Sequence, residues 1–550
     1  GDLDLYVQCN RLYRQGGRPH KPPFTMVGNQ PQILPQFRQY FGFERVSGKL
    51  HKIITIGRPD HLYRNDGKGF FTNVTAQAGI RDIHRGLSAT WFDYDEDGYP
   101  DLFVANDMND VDQFYRNNGD GTFTDITQAI VPHTTWFSMG ADLADVNNDG
   151  RIDYFCVDMA GTNHFLEKTT MGVMNDRKWF VENNVPTQYM WNTLFLNTGA
   201  GRFLEGAYLA GIAKSDWSWA PKFADFDNDG WTDLYVTNGM SRNFTHSDMP
   251  LDEKWLIGRE EFDIYRNTPP KKDRNLAFRN DGNLHFTDTA DDWGLAHFGI
   301  SFAAATADID RDGSPDLVVA NQDEPVHIYR NTSTGNRVTL RLQGRNNLYG
   351  IGAKVDIRTE AGLQTRYHNP YTGYLSSNEP LLHFGLGKAT RIQELVVHWP
   401  GGTRQVLHDL PANQHYTLRE PKPTAGPRTP PPPPNKPLFA KTSLHAVQHK
   451  EIKFEDYERQ PLLPYKHSQL GPATAVGDLD GNGLDDLFFG GAAGQPGTIL
   501  LRQKNGGLRN NAQPALLQDQ AHEDMGALFL DADGDGDNDL YIASGSVECD

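Results

Sequence analysis

The chain has 550 residues and a formal net charge of −19, with 71 acidic side chains against 52 basic ones. An acidic chain without a basic stripe is a poor candidate for nucleic-acid binding, and no apolar run reaches the roughly 18 residues of a membrane-spanning helix. Only three cysteines occur, Cys9, Cys156 and Cys549, so the sequence does not indicate a disulfide framework.

An acidic pattern of nine residues, D-x-[DN]-x-[DN]-G-x-x-D, recurs along the chain from its start. Gly1 and Asp4 match its sixth and ninth positions, and six complete copies follow. The copies run from Asp93 to Asp101, Asp145 to Asp153, Asp225 to Asp233, Asp308 to Asp316, Asp478 to Asp486 and Asp531 to Asp539. One such stretch could be an ordinary acidic turn, but six copies favour a metal-binding loop.

Each loop offers oxygen atoms from side chains at positions 1, 3, 5 and 9 and from the main-chain carbonyl at position 7. Ca²⁺ accepts about six to eight oxygen ligands in flexible geometry, and the glycine at position 6 permits the sharp turn that brings both halves of the loop together. The sequence therefore predicts about six calcium sites. The predicted ligands are Asp93, Asp95, Asp97, Tyr99, Asp101, Asp145, Asn147, Asp149, Arg151, Asp153, Asp225, Asp227, Asp229, Trp231, Asp233, Asp308, Asp310, Asp312, Ser314, Asp316, Asp478, Asp480, Asn482, Leu484, Asp486, Asp531, Asp533, Asp535, Asp537 and Asp539.

The main competing interpretation is the EF-hand, which needs a glutamate at position 12 and a helix on each side. Position 12 is instead Val104, Val236, Val319 or Ile542 in four copies. The residues that follow each loop are β-branched or aromatic, which is typical of a strand. The pattern therefore predicts a calcium loop between two strands.

Calcium also explains the acidity of the chain. The six loops carry 22 carboxylates at ligand positions, and six bound Ca²⁺ ions would add +12 and bring the formal charge from −19 to about −7. Several weak calcium sites are filled only in compartments that contain millimolar calcium. We therefore expect an extracellular or outer cell-surface location. Because the chain begins and ends inside repeats, we expect a fragment whose signal peptide or lipid anchor lies outside it.

A second repeat alternates with the acidic loops, at residues 62–72, 114–124, 194–203 and 277–287. Each copy places an Asn-x-Gly turn between two short apolar segments, which predicts a β-hairpin. With the strands before and after each acidic loop, this makes four strands per repeat. Serial four-stranded units predict a β-propeller, and insertions are expected at about 14–55, 157–192 and 239–275.

The acidic pattern stops between residues 337 and 420, where apolar and polar residues alternate. Val338, Leu340 and Leu342 are one such series, and the alternation predicts a small, half-buried antiparallel sheet. Prolines 430 to 434 are unbroken, so residues 421–437 form a predicted extended linker. The expected domains are thus 1–336, 337–420, this linker, and 438–550 as the start of further propeller blades. Whether all seven loops close one ring or belong to two propellers stays open, and the proline linker favours two.

These motifs carry a family resemblance. The acidic repeats and hairpins resemble FG-GAP/VCBS repeats, the blades of integrin-like propellers. Residues 337–420 resemble the ASPIC/UnbV domain through 350–355, 373–376, 382–387 and 397–401. The resemblance implies secreted or cell-surface proteins related to cartilage acidic protein and to large bacterial surface proteins, with calcium at the acidic loops. It implies no single activity.

The sequence favours a calcium-stabilised binding or scaffold protein that recognises a protein or glycan partner through its insertions. Loops on a rigid scaffold often carry recognition, and the insertions contain Phe37, Tyr40, Phe41, Trp179, Tyr189 and Trp191. The alternative interpretation of these aromatics is packing against the propeller. A carbohydrate-active enzyme, or an accessory subunit of a surface nutrient-uptake complex, is the alternative function. The chain has no GxSxG, HExxH or phosphate-loop motif, and 385–388 is expected to be a turn.

Overall fold

The computed structural model describes residues 3–28, 30–47, 50–80, 83–108, 110–170, 185–243, 246, 248, 253–422, 447–463 and 466–548. Strands account for 41% of the structure and helices for 7%, which confirms the predicted all-β class. The described residues form two compact units, one up to residue 422 and one from residue 447 to 548. No helix in these ranges is long and apolar enough to cross a membrane.

The repeat region of the first unit contains 26 strands. In chain order they are β1 Leu5–Val7, β2 Phe24–Val27, β3 Gln30–Ile33, β4 Phe41–Ser47, β5 Leu50–Thr55, β6 His61–Asn65, β7 Phe71–Asn73, β8 Gly86–Phe92, β9 Asp101–Asn106, β10 Gln113–Asn117, β11 Phe123–Asp125, β12 His133–Thr135, β13 Ala141–Ala144, β14 Asp153–Cys156, β15 Thr187–Tyr189, β16 Thr193–Asn197, β17 Phe203–Glu205, β18 Ser218–Ala224, β19 Asp233–Asn238, β20 Asp273–Arg274, β21 Leu276–Asn280, β22 Phe286–Asp288, β23 Phe298–Gly299, β24 Ser301–Ala307, β25 Asp316–Asn321 and β26 His327–Tyr329.

Five antiparallel sheets follow one another and are named here blades A to E. Blade A is β1-β6-β7, blade B is β8 to β11, blade C is β13-β14-β16-β17, blade D is β18-β19-β21-β22 and blade E is β24 to β26. Blades B, C and D have the four predicted strands. Blades A and E have three, and in blade E the chain passes from β26 into the next domain without forming a fourth strand.

Aromatic side chains fill the space between neighbouring blades. Phe92, Phe103 and Phe114 of blade B form one buried cluster with Tyr154 and Phe195 of blade C. The Phe103 and Tyr154 ring centroids are 3.8 Å apart. Complete burial of one such ring contributes about 1.5–3 kcal/mol. Similar clusters join blades A and B and blades D and E, so each blade is stabilised mainly by its neighbours.

The topology separates the acidic loops from the insertions. Each acidic loop connects the first strand of a blade to the second, as between β8 and β9. The insertions instead connect a second strand to a third, as between β14 and β16 or between β19 and β21. Because adjacent strands are antiparallel, these two kinds of connection lie at opposite ends of the blades.

The β domain that follows contains seven strands in two sheets. The strands are β27 Asn336–Gln343, β28 Lys354–Thr359, β29 Gly362–Tyr367, β30 Leu382–Gly387, β31 Arg391–His398, β32 Arg404–Pro411 and β33 Gln414–Arg419. The predicted alternation is confirmed, since Val338, Leu340 and Leu342 are buried in its core. The pairing is antiparallel except between β27 and β33, which are parallel because β33 returns to β27 only after the chain has passed through the other sheet. Residues 385–387, expected in a turn, end strand β30 instead.

The second unit repeats the blade pattern. Its strands are β34 Thr474–Gly477, β35 Asp486–Phe489, β36 Thr498–Arg502, β37 Leu508–Asn511, β38 Glu523–Leu530 and β39 Asp539–Gly545. The first four form one sheet and the last two form another, with an acidic loop between the first two strands of each. The number of propellers stays a prediction.

Helices are short throughout the described residues. They span Thr127–Ile130, His164–Thr170, Ala207–Ala210, Glu261–Tyr265, Asp456–Arg459 and Pro514–Gln518, with 3-10 turns at Pro35–Phe37 and Glu253–Leu256. Cys9 and Cys156 are free thiols. Cys549 and most of the predicted linker lie outside the described residues.

Candidate metal centres

The six acidic loops share one internal hydrogen-bond scheme. The carboxylate at position 1 accepts the N–H of the glycine at position 6, as in Asp93 with Gly98 at 2.9 Å and Asp225 with Gly230 at 2.9 Å. The side chain at position 5 accepts the N–H of position 7, as in Asp229 with Trp231 at 2.7 Å. These hydrogen bonds lie within the loop and fold it around its own carboxylates without a bound ligand.

The aspartate at position 9 has a different task, because it ties the loop to the blade. Asp101 Oδ2 accepts the Tyr94 N–H at 3.1 Å and its Oδ1 accepts the Asn117 N–H of the third strand at 2.8 Å. Asp233 does the same with Phe226 and Asn280. Position 9 is therefore a structural residue as well as a predicted ligand.

Two positions of each loop have left-handed backbone conformation. The glycine at position 6 was expected, and Gly230 has a φ of 101°. Position 4 is also left-handed in every copy, at Glu96, Asn148, Asn228, Arg311, Gly481 and Gly534. Asparagine or glycine at four of these six positions is the sequence signal for this second turn, since these residues tolerate positive φ best.

Five of the six loops draw three carboxylates together, with ligand oxygens within 4.8 Å of one another. The groups are Asp93, Asp95 and Asp101; Asp225, Asp227 and Asp229; Asp308, Asp310 and Asp316; Asp478, Asp480 and Asp486; and Asp531, Asp533 and Asp535. Among the described residues the loop at 145–153 forms no such group. Its third position is Asn147, and Asp149 lies 3.8 Å from the Arg151 guanidinium.

Electrostatics favour a cation in the buried loops. Burial raises the pKa of Asp93 to about 7 and that of Asp101 to about 9, and the neighbouring carboxylates Asp95 and Asp97 contribute to the rise in Asp93. Burial likewise raises the pKa of Asp225 to about 7. Carboxylates that are both buried and crowded are costly unless an opposite charge compensates them.

The donor set fits a hard divalent cation. The Asp93 Oδ1 and Asp308 Oδ1 atoms are buried and have no hydrogen-bond partner. Each belongs to position 1 of its loop and to a group of three converging carboxylates. Oxygen-only donors of this kind are those that Ca²⁺ prefers. The carbonyl ligand at position 7 stays a prediction.

The hairpin asparagines connect three of the acidic loops to the blade that follows, which the sequence did not reveal. Asn197 of blade C donates its side-chain N–H to the Tyr94 carbonyl at 2.8 Å. Asn280 of blade D reaches the Val146 carbonyl at 2.9 Å, and Asn331 of blade E reaches the Phe226 carbonyl at 2.8 Å. In each case the acceptor is position 2 of the preceding acidic loop. The recurring asparagine of the Asn-x-Gly repeat was the available signal.

The β domain covers the acidic loops of the first unit. The Gly387 N–H donates to the Asn228 carbonyl at 2.8 Å, and His383 Nε2 donates to the Asn228 side-chain oxygen at 2.8 Å. The Arg337 guanidinium donates to the Asp312 carbonyl at 3.0 Å, and Lys354 forms an ion pair with Glu96. The domain thus contacts the loops of blades B, D and E directly.

Arg366 of strand β29 brings a positive charge to two loops. Its guanidinium lies over the Phe384 ring at 5.3 Å, and its buried Nη2 has no hydrogen-bond partner. The charge of Arg366 lowers the pKa of Asp145 and Asp225, against the larger opposing effect of their burial. Arg366 therefore offsets part of the negative charge of both loops.

A segment of the β domain, residues 369–379, contacts the first strands of four blades. Asn369 donates to the Trp91 carbonyl at 3.1 Å, the Gly373 N–H to the Ala141 carbonyl at 2.6 Å, and the Glu379 N–H to the Thr306 carbonyl at 2.9 Å. The fourth contact comes from blade D, where the buried Lys222 ammonium donates to the Thr372 carbonyl at 2.6 Å. This segment joins blades B to E to one another through the β domain.

At the opposite end of the blades, the three insertions contact one another. The Arg18 N–H donates to the Leu256 carbonyl at 3.0 Å, which joins the first insertion to the third. The Phe165 and His246 rings of the second and third insertions are 6.2 Å apart and line a cavity of about 220 Å³. The insertion surface is defined here by these three segments.

The aromatic residues predicted for recognition mostly pack within the insertions. Phe41 is buried against Phe37 and Tyr40, and Tyr189 stacks on Trp191 at 4.3 Å. Trp179 lies outside the described residues. The exposed apolar side chains of the insertion surface include instead Met26, Phe165 and Trp255, which are 56%, 65% and 50% exposed.

Comparison with known proteins agrees with the repeat architecture. The family described as FG-GAP-like repeat matches residues 53–104, 93–156 and 182–236. The family described as ASPIC and UnbV matches residues 343–425. Among solved structures, the Bombyx mori GH32 beta-fructofuranosidase BmSUC1 is 8% identical, with 73% of this chain and 79% of that chain covered and a TM-score of 0.21. This TM-score is too low to support an argument.

Three curated relatives share the name cartilage acidic protein 1, and two of them are compared with the chain. The Xenopus tropicalis protein is 25% identical over 362 residues, which cover 64% of this chain and 47% of the relative. The Homo sapiens protein is 23% identical over 370 residues, covering 64% and 48%. The chain spans about half the length of the curated relatives it matches. It thus contains FG-GAP-like repeats and an ASPIC and UnbV domain, as its motifs predicted, and it is similar to cartilage acidic protein 1.

Proposed function

We propose that the chain is part of a calcium-stabilised extracellular or cell-surface binding protein, which recognises a protein or glycan partner through the insertion surface. The supporting observation is that the two ends of the blades differ in what covers them. The β domain covers the acidic end in the first unit, whereas the opposite end presents exposed Phe165, Trp255 and Met26.

Calcium has a structural role in this proposal. A bound ion would supply the positive charge that the converging carboxylates need, at Asp93, Asp95 and Asp101 in blade B for example. The loops also form hydrogen bonds to the following blade and to the β domain. A loop that is ordered by a bound ion would therefore also stabilise these contacts. The extracellular location is supported by the similarity to cartilage acidic protein 1 and by the millimolar calcium that weak sites require.

The domain boundaries at 336, 420 and 437 are part of the same proposal. The ASPIC and UnbV match at 343–425 supports a separate domain in this region. The division between compact units at residues 434 and 435 supports a second set of blades after the linker.

Calcium removal tests the structural role. Unfolding is followed by urea titration in saturating Ca²⁺ and after chelation. A site filled to about 100 times its Kd stabilises the native state by about 2.7 kcal/mol, so chelation should lower the unfolding free energy by several kcal/mol. An unchanged unfolding free energy would rule out structural calcium.

Surface variants test the binding role. The double variant Phe165→Ala/Trp255→Ala is compared with Leu348→Ala, a 70% exposed apolar residue of the β domain, on a glycan array and on immobilised extracellular matrix proteins. We expect binding by the wild type and by the control but not by the double variant. Equal binding by all three proteins would refute the insertion surface as the recognition site.

A further inference from the structure

A cavity of about 220 Å³ lies at the insertion surface, between the second and third insertions. One wall is the helix His164–Thr170, and the other contains Asn243 and His246. Lys271 and Asp273, just before the third strand of blade D, also line the cavity. Of the described residues that line it, none belongs to an acidic loop or to the β domain.

Contacts outside the cavity hold its walls in place. The Glu167 carboxylate of the helix forms an ion pair with Lys214. The two ends of the third insertion are joined because Met240 and Lys271 exchange main-chain hydrogen bonds of 2.8 and 2.9 Å. A site whose walls are already ordered loses less conformational entropy when a ligand binds. The cavity is therefore preformed.

The ion pair of Lys271 and Asp273 restricts the charge of a ligand. Its two side chains are only 10% and 12% exposed. The Lys271 ammonium donates to Asp273 Oδ2, and Asp273 Oδ1 has no hydrogen-bond partner among the described residues. A charged ligand would have to separate this pair, which is costly because one buried charge is then left uncompensated. The pair therefore favours an uncharged ligand that can both accept and donate hydrogen bonds.

Three further side chains on the walls have unused hydrogen-bonding groups. Thr170 is 6% exposed, yet its hydroxyl forms no hydrogen bond with the described part of the chain. The same is true of the side-chain amide of Asn243. His246 accepts the Asp248 N–H at its Nδ1 at 3.3 Å, so its neutral ring carries a hydrogen at Nε2 that it can donate. These groups indicate a polar ligand independently of the ion pair.

Phe165 supplies the apolar part of the cavity. Its side chain is 65% exposed, and its ring lies 6.2 Å from the His246 ring. The face of an aromatic ring carries partial negative charge, so it attracts weakly positive C–H groups. A sugar ring presents C–H groups on its faces and hydroxyl groups around its edge. An exposed aromatic ring beside several hydrogen-bonding groups matches this arrangement.

Size favours a single sugar over a protein segment. Pockets for drug-sized molecules measure about 300–1,000 Å³, whereas this cavity measures about 220 Å³. It therefore accommodates one small unit of a larger partner. A hydroxyl group both donates and accepts hydrogen bonds, and a pyranose carries several of them on adjacent carbons. A single protein side chain offers at most one hydroxyl group.

We infer that this cavity binds one neutral pyranose residue of a glycan. Phe165 contacts the face of the sugar ring, and Lys271, Asp273 and Asn243 form hydrogen bonds with its hydroxyl groups. This assignment rests on the proposed recognition role of the insertion surface, and it makes a glycan rather than a protein the partner. The predicted calcium loops lie at the opposite end of the blades, so side chains alone would hold the sugar.

Sugar binding is measured with the full chain in saturating Ca²⁺, by saturation-transfer NMR with the methyl glycosides of glucose, galactose, mannose and N-acetylglucosamine. We expect at least one of them to bind. Phe165→Leu keeps an apolar side chain but removes the ring, and Asn243→Ala removes an amide that has no partner in the described chain. Each variant should weaken binding by roughly threefold or more. The control Phe70→Leu, at a 74% exposed position of the blade A hairpin, should bind as the wild type does.

Charged sugars test the role of the ion pair. The uronate and the amino sugar that correspond to the pyranose that binds best carry a carboxylate and an ammonium. Both should bind more weakly than the neutral sugar, because each has a like charge to face at Asp273 or Lys271. Tighter binding of either one would contradict a site for a neutral sugar.

A failure of the sugar site differs from a failure of the proposed function. If no neutral pyranoside binds, or if Phe165→Leu and Asn243→Ala bind it as tightly as the wild type, the sugar site is wrong. Binding to matrix proteins that is lost in Phe165→Ala/Trp255→Ala would then still support recognition by the insertion surface. If that double variant also kept every interaction of the wild type, the proposed function would be wrong as well.

Discussion

Gly385 tests whether the β domain lies directly on an acidic loop. A Cβ atom at this position in strand β30 would lie 2.1 Å from Asp225 Oδ2 and 2.6 Å from the Asn228 Cα. Favourable contacts between carbon atoms begin at about 3.5 Å, so Gly385→Ala must push the strand and the loop apart by roughly 1 Å. Overpacking of this kind costs about 1–3 kcal/mol.

The displaced atoms belong to a predicted calcium ligand, so the strain should also appear in calcium affinity. A loss of about 1.4 kcal/mol in the bound state corresponds to a tenfold weaker Kd. We expect Gly385→Ala to lower the unfolding free energy in urea and to weaken one calcium site by about tenfold in a calorimetric titration.

The matched control is Gly526→Ala in strand β38, where the new Cβ would lie 3.6 Å from the Ala543 Cβ, an ordinary contact. Replacement of glycine by alanine without strain is neutral or stabilising by about 0.4–1 kcal/mol. If Gly385→Ala behaved like this control in both stability and calcium affinity, the close approach of β30 to the Asp225 loop would be wrong.

Three further predictions concern buried polar groups. Asn280→Ala leaves the Val146 carbonyl without its side-chain donor and should lower the unfolding free energy in urea by about 1–3 kcal/mol. The control Asn118→Ala, at an exposed position, should lower it by less than about 0.5 kcal/mol. Equal effects of the two variants would contradict a role of Asn280 in joining blades. Lys222→Met removes the ammonium bonded to Thr372 and should cost about 1.5–3 kcal/mol, with increased proteolysis of the 369–379 segment; wild-type protection would refute this link. Burial lowers the pKa of His368 to about 4, so the unfolded state binds more protons than the folded state below about pH 6.5. The unfolding free energy should therefore fall by about 2 kcal/mol between pH 7.5 and 5 because of this one histidine. The variant His368→Asn should lack this pH-dependent loss, and a pH profile equal to that of the wild type would show that His368 protonates freely in the folded state.

The acidic loops show how much of the structure a local sequence pattern can predict. The position 1, 5, 6 and 9 residues form the expected turn in every copy, because their hydrogen bonds join residues only two to seven positions apart, as for Asp93 with Gly98 and Asp101 with Tyr94. The strands on both sides are also local features of β-branched and aromatic residues. Copies that look equivalent in sequence nevertheless differ in burial, and Asp531 is exposed where Asp225 is buried.

The contacts of residues 468–471 in the second unit were not accessible to the same reasoning. Asp456, Glu523 and Glu548 follow no periodic spacing in the sequence. Only the folded chain brings their carboxylates to the N–H groups of Ser468, Gly471 and Gln469.

By itself, the sequence determined the all-β class, the repeat and the turn of the acidic loops, since periodicity and turn residues act over a few positions. The tertiary structure alone decided what those loops touch. Lys222 meets Thr372 across 150 residues, and Asn228 meets His383 across 155. Such contacts depend on the shape of two folded surfaces, which no local pattern encodes. They place the β domain over the acidic end of blades B to E, opposite the insertions.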